Sequence, residues 1–327
     1  MKKTIFCLVC VLALCFLTAC QNAAPCIHVD ADDNGMCDLG CKEKYSDGID
    51  TVCPHKDYNK DNKCDVCKES CAYTRDGEYI YFGEYPQTLQ SNDRITYSEN
   101  PAANGYYLGS DNNYYAKVVA DPYGESYYFS NATVVESGKA YYFKVEPIRW
   151  RIIETDYNTA LIVCDSIIDS MAYDANDNNY KNSDVRAWLC NTFYKEAFTA
   201  LQQAIIVSTE VDNSGASTAD PGNPYICGNT VDPVFLLSYS DVINKDYGFD
   251  VTTRQLMLSD YARAGGALMS QDADTYYCGT WWLRSPYDFS EDYARCVYRD
   301  GRVLTGSYAE TYHDHIGVVP ALVIRLK

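Results

Sequence analysis

The strongest constraint on this fold lies near the end of the chain, where two apolar stretches bracket a polar one. Trp281-Trp282-Leu283-Arg284-Ser285-Pro286 reads as a buried strand, and so does Gly317-Val318-Val319-Pro320-Ala321-Leu322 with its continuation Val323-Ile324-Arg325-Leu326. Residues 287–315 between them are dominated by Tyr, Asp, Arg, Ser and His. Such a pattern requires a rigid frame that holds a polar excursion at the surface, which is how binding surfaces are commonly mounted.

The region expected to build that frame is residues 76–327. Glu78 to Phe82 reads as an opening strand, followed by a turn over Gly83-Glu84-Tyr85-Pro86-Gln87-Thr88. Residues 97–139 are rich in Tyr, Asn, Ser and Gly, and predict short strands around Ala116 to Ala120 and Ser126 to Phe129 whose tyrosines cover a small sheet. Ala140 to Val145, Pro147 to Ile153 and Ala160 to Cys164 predict a meander of buried strands with Trp150 in the core. Asn182 and Ser183 suit the start of a helix at Asp184, and Val185, Trp188, Leu189, Phe193, Ala197, Phe198, Leu201 and Ile205 recur at helical spacing. That predicts one bent or two consecutive amphipathic helices, with Cys190 buried rather than reactive. A long surface loop is expected over Thr209 to Asn229, a strand over Val234 to Leu237, a short helix over Asp241 to Lys245, and a second helix over Arg254 to Arg263 closed by Gly265-Gly266.

The N-terminal part obeys different rules. Lys2 and Lys3 precede an apolar run that ends in Leu17-Thr18-Ala19-Cys20, the layout of a secretory signal too short for an ordinary spanning helix. The Leu-Thr-Ala-Cys sequence resembles a bacterial lipobox. That resemblance implies a lipoprotein whose signal peptide is residues 1–19, whose lipid sits on Cys20, and which is held by that anchor at the extracytoplasmic face of the cell membrane. Twelve of the sixteen cysteines then remain, in a compartment that permits disulfides.

Residues 20–75 contain a tandem repeat visible at an offset of 27 residues: Cys26-x-His28-x-Asp30-x-Asp32-x-Asn34-Gly35-x-Cys37-Asp38 matches Cys53-x-His55-x-Asp57-x-Asn59-x-Asp61-Asn62-x-Cys64-Asp65. Asp30, Asp32, Asn34 and Asp38, and again Asp57, Asn59, Asp61 and Asp65, offer oxygens at the spacing of a calcium loop, although Cys41 and Lys68 stand where a bidentate Glu would close it. Alternatively, Cys26, His28, Cys37 and Cys41 form one tetrahedral zinc set and Cys53, His55, Cys64 and Cys67 another. Disulfides alone are the third possibility. In each case the segment is too small for a core of its own and serves as a stalk.

The framework ends also carry a resemblance. Leu283-Arg284-Ser285-Pro286 before the polar window and Gly317-Val-x-Pro-Ala-Leu322 after it resemble the variable proteins of bacterial diversity-generating retroelements, with Val319 where an Arg is usual. They also resemble a broad bacterial domain family of unknown function, whose further marks are Tyr81-Phe82-Gly83-x-Tyr85-Pro86-Gln87 and Pro147-Ile148-x-Trp150-Arg151. The resemblance implies an α+β, C-type-lectin-like domain of antiparallel sheets and packed helices, with its ligand face in the last part of the chain. The face would comprise Tyr287, Asp288, Phe289, Asp292, Tyr293, Arg295, Tyr298, Arg299, Arg302, Tyr308, Tyr312, His313, Asp314 and His315. Tyr supplies contact area at low entropic cost, and Arg supplies charge and stacking. Retroelement mutagenesis acts on adenines, so Asn codons read A-A-C never become Glu, Gln, Lys, Met or Trp. Only Glu291 and Glu310 in the window belong to that set, where the chain's composition predicts roughly four.

Charge and chemistry narrow the function. A net charge of −18 argues against a nucleic-acid partner, which would need a basic face. No His lies between residues 56 and 312, so a His-dependent nucleophilic centre is not expected in the core. His313-Asp314-His315 could chelate a metal but reads better as a solvated loop, and no cofactor is expected in the main domain. The expectation is a surface-anchored, non-enzymatic lipoprotein that binds an extracellular protein or glycan. The alternatives are a structural cell-envelope lipoprotein and, third, a glycan-acting enzyme.

Overall fold

The computed structural model describes residues 72–326 apart from 125, 304 and 305. The signal peptide, Cys20 and both metal-ligand sets of the repeat lie outside the described residues. The described chain is α+β in the broad sense: mostly antiparallel sheets with few and short helices.

The centre of the larger sheet is one strand, Ala140–Asp156, where the sequence predicts two. One of its edges pairs with Tyr79–Leu89. The other is shared, by Tyr114–Val119 along the first half and Thr159–Cys164 along the second. Pro147 does not break the strand, because the partner is irregular at the same place and the Gln87 amide donates to the carbonyls of Glu146 (2.9 Å) and Pro147 (3.3 Å). Thr159–Cys164 passes the sheet on to Pro320–Arg325, which also pairs with Phe235–Leu236 and Ile206–Val207.

The expected turn at residues 83–88 is instead a bulged continuation of Tyr79–Leu89. Gly83 sits there at φ +70°, with the Phe198 ring 2.5 Å from where a Cβ would stand, so the bulge requires glycine twice over. The buried Trp150 indole donates to the Phe82 carbonyl at 2.7 Å inside the bulge. Two sequence marks far apart in the chain are therefore one structural device.

Helices differ from expectation in extent. Ser183 caps Asp184–Ala187, which continues through a π-helical segment, Trp188–Phe193, into Tyr194–Ala197. Thr199 and Gln202 then form a capping box that starts Ala200–Gln203. Of the two expected forms, one bent or two consecutive helices, the chain takes the second, with a π-helical stretch inside the first helix, and Ile205 lies beyond both. The helix expected at Arg254 to Arg263 is only Asp260–Ala264, because Leu258 and Met257 form bridges to Ile167 and Cys278. The one expected at Asp241 to Lys245 runs over Tyr239–Ile243, set two residues earlier by the Ser238 cap. Ser126 to Phe129 makes a single bridge, Tyr128 to Val134, rather than a strand. The expected surface loop after Thr209 is partly interior: Asn213, Ser217, Thr218 and Asn223 are buried.

Asp169–Ser170 is the edge of the second sheet and pairs with Gly317–Val318. The Tyr85 hydroxyl donates to the Asp169 carboxylate at 2.6 Å. Burial pushes that carboxyl up to about 6, with Glu196 adding to the rise and the hydrogen bonds from Tyr85 and Ser170 opposing it. The unfolded chain ionises this group more readily, so its contribution to stability falls as pH climbs from about 4 through 6. Asp169→Asn is therefore expected to gain on the parent by on the order of 2 kcal/mol more at pH 7.5 than at pH 4.5. Urea unfolding of both proteins at the two pH values measures this, and an equal difference at both would exclude it.

Candidate functional site

The second sheet has the strand order Tyr308–Glu310, Tyr293–Val297, Trp281–Pro286, Gly317–Val318, Asp169–Ser170. Its middle strand, Trp281–Pro286, is wholly buried, as are Gly317 and Val318. Trp281 donates to the Arg254 carbonyl (3.2 Å) and Trp282 to that of Met171 (2.9 Å), so both indoles are framework, as expected. The polar window folds as a hairpin-like excursion from this frame.

Three anchors fix the excursion. The buried Asn178 amide donates to the carbonyls of Tyr287 (3.3 Å), Ser290 (3.0 Å) and Tyr293 (2.8 Å), which shapes the loop after Pro286. The tip turns at Tyr298-Arg299-Asp300-Gly301. There Gly301 has φ +75°, and a Cβ would stand 1.8 Å from the Val251 carbonyl. Arg254 and Gln255 donate to the Gly301 and Asp300 carbonyls at 2.8 and 3.1 Å. Finally, the Thr311 amide donates to the Asp292 carbonyl at 2.9 Å, and the Tyr173 amide to that of Thr311 at 2.8 Å.

A cavity of about 630 Å³ opens on this excursion. Seven of the fourteen sequence-expected residues line it: Tyr293, Tyr298, Arg299, Arg302, Tyr308, His313 and His315. Tyr308 lies at the centre of an aromatic group, stacked on Tyr287 at 4.0 Å and edge-on to Tyr293 at 5.0 Å. Phe289, 79% exposed, extends the group outward beside Tyr287. Tyr312 is exposed and packs edge-on to His313, whereas Asp292 and Asp314 point to solvent away from the cavity lining.

Arg295 is a correction. It is 1% exposed, paired with Asp288 at 2.8 Å, and 5.3 Å from the ring centroids of both Tyr239 and Tyr287. It cannot be a contact residue; it holds Tyr287 from beneath, and Asp288 serves it. A polar residue type does not reveal that neighbouring rings will cover it.

Two residues that the sequence reading did not place in the site belong to its surroundings. Glu310 lines the cavity, lies 2.9 Å from His313 Nε2 and accepts from the Tyr293 hydroxyl at 3.5 Å. Tyr123, from the tyrosine-rich segment, packs its ring 4.4 Å from His315. Glu310 stood in the window but was counted only as one of its two acids outside the A-A-C codon set, whereas nothing local marked Tyr123. Burial holds the His315 imidazole below its usual range, with His313 reinforcing this and Asp314 and Glu310 opposing it.

Among the described residues, no group of three or more His, Cys, Asp or Glu side chains is placed to hold a metal ion. Cys296 lies beneath the cavity on Tyr293–Val297, fully buried, and burial pushes its thiol up so that it stays protonated. Cys190 is half-buried, donates to the Val234 carbonyl, and has its thiol pushed up to about 12.

Comparison with known proteins returns one family: a domain of unknown function (DUF6273) matches residues 157–326, more than half of the chain. The match spans both framework strands, the cavity and the helices that support them. No curated protein and no solved structure matches the chain.

Proposed function

We propose, for a chain that belongs to the family of the domain of unknown function DUF6273, a surface-anchored lipoprotein that binds an extracellular protein or glycan through the cavity on residues 293–316. One observation carries this reading: a window singled out by its residue types gathers half of its expected contact residues around one cavity on a pinned frame. The domain is read as C-type-lectin-like, the Cys-rich repeat as its calcium- or zinc-ordered stalk, and Cys20 as the lipid anchor. The chemistry is binding rather than catalysis: the cavity offers aromatic faces, two arginines and a close His-Glu pair, and the nearby thiol is buried.

An array of extracellular proteins and glycans tests the reading. The parent is expected to bind a discrete set of ligands, and Tyr308→Ala to lose them while keeping its cooperative unfolding. A parent that binds nothing above background would favour the structural-lipoprotein alternative. Diversification of this face is a separate matter, tested in the neighbouring DNA. It requires a reverse-transcriptase gene and a near-copy of codons 283–322 with A-A-C at the variable positions. Absence of both would remove diversification and leave binding intact. Glu310, lining the cavity yet unreachable from A-A-C codons, would then be a fixed residue among variable ones.

A further inference from the structure

Resting on the binding reading above, we infer that the cavity takes an acidic saccharide, with the sugar ring against its tyrosines and the acid group against Arg299 and His315. The inference comes from how the lining charges are already committed. Asp300 is held by Arg302, which donates from Nε at 2.5 Å and from its backbone amide at 3.1 Å. Glu310 is held by His313 at 2.9 Å and by the Tyr293 hydroxyl. Both acids of the lining are thus engaged. Arg299 is held more loosely: it pairs with Asp272 at 3.8 Å, and the two side chains are 46% and 74% exposed. A pair so long and so wet is worth little, so an incoming anion does not have to displace a strong partner.

The histidines supply the second half of the argument. The rings of His313 and His315 lie 4.7 Å apart on one wall of the cavity. His315 faces His313, Asp314 and Glu310 from its own segment and the Tyr123 ring from another, and its approach to the Asp314 carboxylate is 3.8 Å. Burial, reinforced by the neighbouring His313 ring, disfavours the charged form of His315, and an anion placed between His315 and Arg299 offsets this. The chain's net charge of −18 repels anions at long range, but physiological salt screens that field beyond about 8 Å, so the local cations decide. The open tyrosine faces then favour a ring-bearing anion over a bare ion. Sugar rings stack on tyrosine through their C–H faces, and their hydroxyls suit the Glu310 and Asp300 oxygens at the rim.

The test uses the full chain and three probes: a galacturonic acid oligomer, the same oligomer as its neutral methyl ester, and a sulfated galactan oligomer of equal length. The acid is expected to bind at least about tenfold more tightly than the ester at pH 6, the worth of one charge-assisted contact. Its affinity is expected to rise by up to about tenfold from pH 8 to pH 5.5 as His315 takes up a proton, with no such rise for the ester. Arg299→Gln, at an exposed turn position, is expected to narrow the acid-to-ester ratio, and His315→Gln to flatten the pH dependence. The sulfated oligomer decides whether the acid group is read as a carboxylate or simply as an anion: equal affinity supports the anion chemistry, and weaker affinity narrows it to carboxylate. Equal binding of acid and ester, or a preference that survives Arg299→Gln, overturns the acidic-ligand inference and leaves ligand binding standing. Binding of proteins but of no saccharide does the same. Failure of every saccharide and every protein to bind sinks the binding reading itself.

Discussion

Arg284→Ala is expected to lower the free energy of unfolding by about 3 kcal/mol or more, read as a fall in the urea midpoint with an unchanged slope. The guanidinium is 6% exposed and serves three separate segments. It donates to the Leu236 carbonyl at 2.9 Å, to the Asp241 carboxylate at 2.7 Å, and to the Asp212 carbonyl from two nitrogens at 3.2 Å. Removing it strands the buried Leu236 carbonyl, frees that of Asp212, and leaves Asp241, only 21% exposed, without its cation. Arg284→Lys is expected to recover little, since one ammonium cannot span the fork that these acceptors fit. A loss below about 1 kcal/mol would mean that the three segments hold together without it.

Tyr308→Ala is expected to weaken binding of an array-identified ligand by about 30-fold or more, the scale of an aromatic hot spot. Its ring is stacked between Tyr287 and the cavity and meets Tyr293 edge-on, so truncation removes a contact face and loosens two others. Tyr308→Phe keeps the stack and is expected to fall within a few-fold of the parent. That separates the ring from the hydroxyl. Because Tyr308 lies in the edge strand Tyr308–Glu310, stability should change by far less than with Arg284→Ala.

The frame was legible because burial writes itself into residue type. Trp281, Trp282 and the run after Gly317 are apolar because both faces of their strands are covered, and Trp150 lies among β-branched residues because it fills a core. Element lengths were less legible, since local signals compete with partners the sequence does not show. Gly83 and Pro86 look like a turn, yet the neighbouring strand absorbs them as bulges. Arg254 to Arg263 has helical spacing, yet its first half is held by bridges and by the tip of the excursion.

The site was legible at the level of a window and not of a face. Tyr293 and Arg295 share one face of Tyr293–Val297, yet only Tyr293 reaches the cavity, because the Tyr287 ring covers Arg295, and both looked like contact residues. Tyr123 could not have been found from the sequence, because only folding brings it to His315. The DUF6273 match covers frame and cavity together, so the family shares the scaffold on which this face is built.

The most direct measurement is amide hydrogen exchange of the full chain with and without its tightest array ligand. The account predicts that slowed exchange is concentrated in residues 293–302 and 308–316, with little change in the groove beside Arg149 and Arg151. Protection confined to that groove, or to the stalk, would contradict it.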